Sequence, residues 1–160
     1  MTKKHRGFVP LLILALAAFS LAASDPSGVV HWPASQLKEY SKTLAPKINE
    51  KKVASEQLGK FGNHSFMVAH REGNGEAELH ETQADVFFVQ SGQATLVVGG
   101  EVVDGKTTAP HEIRGPSVRG GEQKKLSGGD VVHIPAKIPH QLLVEPGKQF
   151  TYFVVKIDSQ

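Results

Sequence analysis

The residues best suited to chemistry fall in two segments about fifty positions apart. In the first, Glu78-Leu79-His80 is followed by Asp85, which opens the apolar run Val86-Phe87-Phe88-Val89 before Ser91-Gly92. In the second, Gly129-Asp130-Val131-Val132-His133-Ile134-Pro135 leads to Pro139-His140-Gln141-Leu142-Leu143-Val144. His80, Asp85 and His140 make a two-histidine, one-carboxylate set, which binds a divalent transition metal and leaves positions open for water or substrate. Ligand type does not choose among Fe, Mn, Zn and Ni. Glu78 could be a further ligand, an acceptor that orients His80, or a general base beside bound substrate. A metal-free, hydrogen-bonded trio around water would also satisfy the same buried polar groups.

Strands must carry these side chains. Period-2 alternation puts Glu78 with His80, Asp85 with Phe87 and Val89, and His140 with Leu142 and Val144, each set on one face. Candidate strands cover 53–58, 65–71, 76–81, 86–90, 94–98, 101–103, 123–126, 131–134, 141–144 and 149–157. Gly73-Asn74-Gly75, Ser91-Gly92, Gly99-Gly100, Gly120-Gly121 and Gly128-Gly129 punctuate them. Many short strands with Gly and Pro turns predict an all-β sandwich or barrel. One short helix is expected from Pro33 to Leu44, with Leu37, Tyr40 and Leu44 at helical spacing. The polar stretch 104–121 reads as a long loop, and His111, Glu112 and Arg114 within it as solvated loop polarity, with a place lining the barrel mouth as the alternative. His70, in phase with Phe66 and Val68, reads as a core or surface histidine, with a place inside the barrel as the alternative. His133 is expected outside, and His31 and His64 have no partner at motif distance.

The two segments resemble the cupin family. Its first motif, G-x5-H-x-H-x(3,4)-E-x6-G, is matched by His80 and by Asp85-x6-Gly92, with Asp for Glu and with Glu78 at the first histidine. In a competing register, His80-x-Thr82 takes the histidine pair and Glu78 leaves the site. Its second motif, G-x5-P-x-G-x2-H-x3-N, is matched by Gly129, Pro135 and His140, with Lys137 for the internal Gly and Val144 for Asn. The resemblance spans roughly 65–157. It implies a double-stranded β-helix, or jelly-roll barrel, whose interior metal is held by His80, Asp85, His140 and Glu78. It also implies a homodimer, and a small organic molecule as substrate or ligand. Dioxygenase, isomerase and lyase chemistry all occur on this fold, and fold does not fix function. A non-catalytic sugar- or phenolic-binding module, with structural metal or none, is the alternative.

Composition bounds the rest. Lys3, Lys4 and Arg6 precede an apolar run from Phe8 to Leu21 and the small residues Ala22, Ala23 and Ser24, the order of a secretory signal peptide. The expected organisation is therefore a signal peptide over 1–23, an extension with a short helix over 24–50, and a barrel over 51–160. The product would be periplasmic or secreted, with no stable membrane anchor after cleavage; an uncleaved anchor is the alternative. Losing the leader leaves 15 Lys+Arg against 16 Asp+Glu, a net of −1, so the basic whole-chain pI gives no case for nucleic acid. With no cysteine there is no disulfide and no thiol nucleophile. Ser91-Gly92 lacks a nucleophile elbow, and Gly73-x-Gly75 precedes no helix.

Overall fold

A computed structural model describes residues 27–159. The expected signal peptide lies outside them. Residues 27–31 belong to a unit of their own, beginning with a turn at Ser27-Gly28. From Trp32 onward the chain forms a second unit, which opens with helix α1 (Ala34–Leu44) and a 3-10 turn (Ala45–Lys47). Pro33, in extended conformation, stands at the helix N-cap, where a missing N–H costs nothing.

Twelve strands follow: β1 (Val53–Phe61), β2 (His64–Arg71), β3 (Ala77–His80), β4 (Gln83–Val98), β5 (Glu101–Val103) and β6 (Lys106–Ala109). The remainder are β7 (Glu112–Gly115), β8 (Ser117–Arg119), β9 (Glu122–Ser127), β10 (Val131–Ile134), β11 (His140–Leu143) and β12 (Phe150–Asp158). All pairings are antiparallel. β1, β2, β12, the first half of β4 and β10 form one wall; β9, the second half of β4, β11, β3, β7 and β6 form the other. The expected strands 86–90 and 94–98 are thus one 16-residue strand that passes between walls.

Gly92 makes that passage. Its φ is +82°, and a Cβ there would lie 1.9 Å from the Gln149 carbonyl oxygen. A register shift between Thr151 and Tyr152 accompanies the bend on the facing strand.

Between the walls lies a core of Phe87, Val89, Leu96, Leu126, Ile134, Leu142, Val144, Phe150, Tyr152 and Val154. A second cluster, Tyr40 and Leu44 of α1 with Ala54 and Val68, covers the outer face of β1 and β2. Both faces of β2 are therefore apolar, which hides its orientation from the alternation pattern. His70 shares the outer, helix-covered face with Val68. It is fully buried, with Nδ1 2.7 Å from Thr151 Oγ1, and the face turned inward carries Met67, Ala69 and Arg71.

The stretch 104–121 is not a long loop. It holds β6, β7 and β8, because β7 pairs with β3 and so extends the wall that carries Glu78 and His80. Exposure of β6 on every residue removes the apolar signal that would have marked it.

Candidate metal centre

The barrel's interior face collects charged residues at one end. Glu78 lies opposite His140 on β11 and opposite Arg114 on β7, so three strands present these side chains abreast. His80 follows two residues along β3. From the other wall come Asp85, first inward residue of the β4 core face, and Lys156, its register partner on β12.

His140 is the most telling member. Its Nδ1 is 3.1 Å from the Ile138 carbonyl oxygen, which can only accept, so the proton sits on Nδ1. Nε2 is left with a bare lone pair, buried and without a hydrogen-bond partner. It faces Asp85 Oδ2 at 3.7 Å and Glu78 Oε2 at 4.0 Å. Burial holds the His140 pKa below its ordinary value despite both carboxylates. The imidazole is therefore neutral, the form that ligates metals.

His80 Nε2 points to the same space, 3.4 Å from Asp85 Oδ2 and 3.5 Å from Glu78 Oε2. Donor atoms about 2.1 Å from one ion at near-tetrahedral angles stand about 3.4 Å apart, so these separations suit a shared divalent cation. Glu78, His80 and His140 each offer an atom within 4.8 Å of the others. The donor set and the orphaned Nε2 fit a metal.

Cations already balance the carboxylates. Burial alone would raise Glu78, but the His80 hydrogen bond and the Arg114 guanidinium, 2.7 Å away, hold it well below the usual carboxylate range. Asp85 is likewise lowered against the effect of burial, by His80 and by Lys156. The Lys156 ammonium lies 2.9 Å and 3.1 Å from the two Asp85 oxygens and 3.0 Å from His80 Nε2. Burial opposes the charge on His80, yet the bonds to Asp85 and Glu78 raise it to about 9. These two contacts of Nε2 exclude each other. A protonated Nε2 donates to the carboxylates, whereas a bare one accepts from Lys156.

A cavity of about 190 Å³ adjoins this cluster, lined by Ser55, Arg71, Arg114, Tyr152 and Lys156 among others. Arg71 Nε donates to the Tyr152 hydroxyl at 3.1 Å. Val53, Arg71 and Arg114 also line a larger cleft of about 1070 Å³ alongside β6–β8.

Of the four expected ligands, Glu78, His80 and His140 form one mutually close group, and Asp85 lies 3.4 Å from His80 and 3.7 Å from His140. Three interior residues were not singled out by the sequence pattern: Arg71, Tyr152 and Lys156. Tyr152 and Lys156 were legible in principle, since both are in phase with Phe150 and Val154. Arg114 falls in the expected loop, but it lies on β7 and bonds Glu78 and Glu112. His111 is exposed and meets Glu81, and His133 is exposed. Lys137, at the motif's glycine position, adopts the left-handed φ of +67° that glycine would supply, with its N–H donating to the His80 carbonyl at 2.7 Å.

A two-walled antiparallel barrel of this connectivity is a jelly roll. Among solved structures, TT1209 from Thermus thermophilus superposes with a TM-score of 0.53 at 19% identity, over 74% of this chain and 94% of that one. Streptomyces PAC13 with uridine gives 0.50 at 9% identity, over 70% and 74%. A cupin superfamily protein from Desulfitobacterium hafniense DCB-2 gives 0.48 at 12% identity, over 69% and 82%. The chain folds as a jelly-roll barrel, the fold that its resemblance to the cupins implies. No family model matches the sequence, and no curated relative matches it either.

Proposed function

We propose that this chain is an exported cupin that holds one divalent transition metal in its barrel and takes a small organic molecule into the adjoining cavity. One observation carries the reading: the bare, buried Nε2 of His140 faces two carboxylates and a second imidazole at ligand-like separations. Glu78, His80, Asp85 and His140 would hold the ion. Bound there, Fe, Mn, Zn or Ni would supply Lewis acidity or an oxygen-binding centre.

The surrounding side chains have separable tasks. Arg71 and Arg114 line both the cleft and the inner cavity, and suit a polar or anionic ligand. Phe87, Met67 and Val154 give the inner cavity an apolar side that sheds water. Glu78, paired with Arg114, accepts a proton poorly; it serves as general base only if that ion pair opens.

A second reading, small-molecule binding without catalysis, draws on the same fact. Both carboxylates are held ionised by neighbouring cations, so neither has the raised pKa of a poised proton carrier. Oxygen uptake, isomerisation and elimination assays on the metal-loaded protein separate the two.

The test is titration of the purified, chelator-treated mature chain with Mn, Fe, Ni and Zn. One ion per chain is expected, lost in His80→Ala and His140→Ala. A wild type that binds none of the four ions overturns the reading. Export is checked by N-terminal sequencing for cleavage after Ala23, and the homodimer by sedimentation.

A further inference from the structure

The cradle that fits a metal is already in contact with a cation of the chain's own. Lys156 projects inward from β12 in phase with Phe150, Tyr152 and Val154, and lies directly across from Asp85. Its side chain is 20% exposed. The ammonium touches both Asp85 oxygens and lies 3.0 Å from His80 Nε2.

An imidazole nitrogen has one lone pair. Nε2 of His80 can accept a hydrogen from Lys156 or ligate a metal, but it cannot do both. Nδ1 offers no substitute, since only Nε2 is turned toward Glu78 and Asp85. The carboxylate has room for more than one partner, but a divalent ion beside it would stand within a few ångströms of a full positive charge. In a partly buried site that repulsion is large. The long flexible stem of lysine allows withdrawal, and the cavity of about 190 Å³ that Lys156 lines gives the head group somewhere to go.

We infer that Lys156 is a tethered rival of the metal: its ammonium occupies the His80–Asp85 side of the cradle in the metal-free protein and must leave when an ion enters. This rests on the metal-binding reading above, and extends it to a residue that sets the affinity without being a ligand. The metal-free barrel thereby keeps its buried carboxylates neutralised, and the ion binds more weakly than its donor set alone would give.

The experiment compares Zn2+ and Mn2+ affinity of the mature wild type, Lys156→Met and Lys156→Arg by calorimetry. Lys156→Met should bind at least about tenfold more tightly, while Lys156→Arg, which keeps the charge, should not exceed wild type. Equal or weaker binding by a folded Lys156→Met overturns the proposal, and leaves the metal site standing if wild type binds. Binding by Lys156→Met alone upholds the proposal and removes the metal from the wild-type function. Absence of binding in both removes both.

A readout on wild type covers the case in which Lys156→Met does not fold. Amine-directed acetylation with peptide mass spectrometry should show labelling of Lys156 rising several-fold on adding Zn2+, with exposed Lys38 unchanged. No rise at Lys156 in protein shown to carry Zn2+ overturns the proposal.

Discussion

Arg114 and Glu78 face each other across β7 and β3, guanidinium to carboxylate at 2.7 Å, inside a barrel where the rest of Glu78 is shielded from water. Glu112 shares the same guanidinium. The pair couples exposed β6 and half-buried β7 to a largely buried carboxylate.

Replacing Arg114 should therefore destabilise the metal-free barrel. Arg114→Gln leaves a buried carboxylate short of its main charge partner, with an expected loss of about 1–3 kcal/mol. Arg114→Lys should recover only part of it, because an ammonium cannot reproduce the fork between Glu78 and Glu112. Urea unfolding of metal-free protein decides; an unchanged midpoint in Arg114→Gln would mean that Glu78 is solvated instead.

His140 should show the opposite balance. Its Nε2 bonds to nothing in the protein, so His140→Gln sacrifices mainly the contact with the Ile138 carbonyl and packing against Phe87. The metal-free melting temperature should move by only a few degrees. Wild type at a metal concentration of about 100 Kd should gain about 2.7 kcal/mol, and His140→Gln should gain almost none of it. Equal metal-induced shifts in the two proteins would remove His140 from the ligand set.

Tyr152 gives a pH prediction. Burial raises its phenol above the ordinary value of 10, against the opposing pull of Arg71. The folded state thus holds that proton more tightly than the unfolded chain does, so its contribution is intact below pH 10 and declines as pH rises beyond it. Ultraviolet titration should show one of the two tyrosines ionising late, and together with unfolding. Tyr152→Phe should remove that late step; its persistence would assign it to Tyr40.

Gly92 should not tolerate a side chain. An alanine Cβ would overlap the Gln149 carbonyl, a backbone atom fixed by the β4–β12 ladder, at a φ that alanine rarely adopts. Gly92→Ala is expected to cost about 2 kcal/mol or more in urea unfolding. Gly129→Ala, where nothing lies within 4 Å, should cost less although its φ of +96° is also left-handed. Similar losses in both would place the effect in φ alone and not in the bend.

By itself the sequence determined the class of fold and singled out His80, Asp85 and His140, while it left Glu78 open. Period-2 alternation fixes which side chains share a face, and the glycines fix where strands turn, both being local properties. Asp85 and His140 were legible because each heads an apolar run whose phase is unambiguous, and His80 because the alternation that carries Glu78 carries it too. His70 and the strands of 104–121 were not. A helix covers the outer face of β2 and makes both its faces apolar, and β6 is so exposed that it carries no apolar period. Only the tertiary structure decided the partners. That Arg114 grips Glu78, and that Lys156 lies between Asp85 and His80, depends on the register of strands 36 and 71 residues distant from those carboxylates. Register between remote strands is set by how the whole barrel closes, and no single strand's pattern contains it.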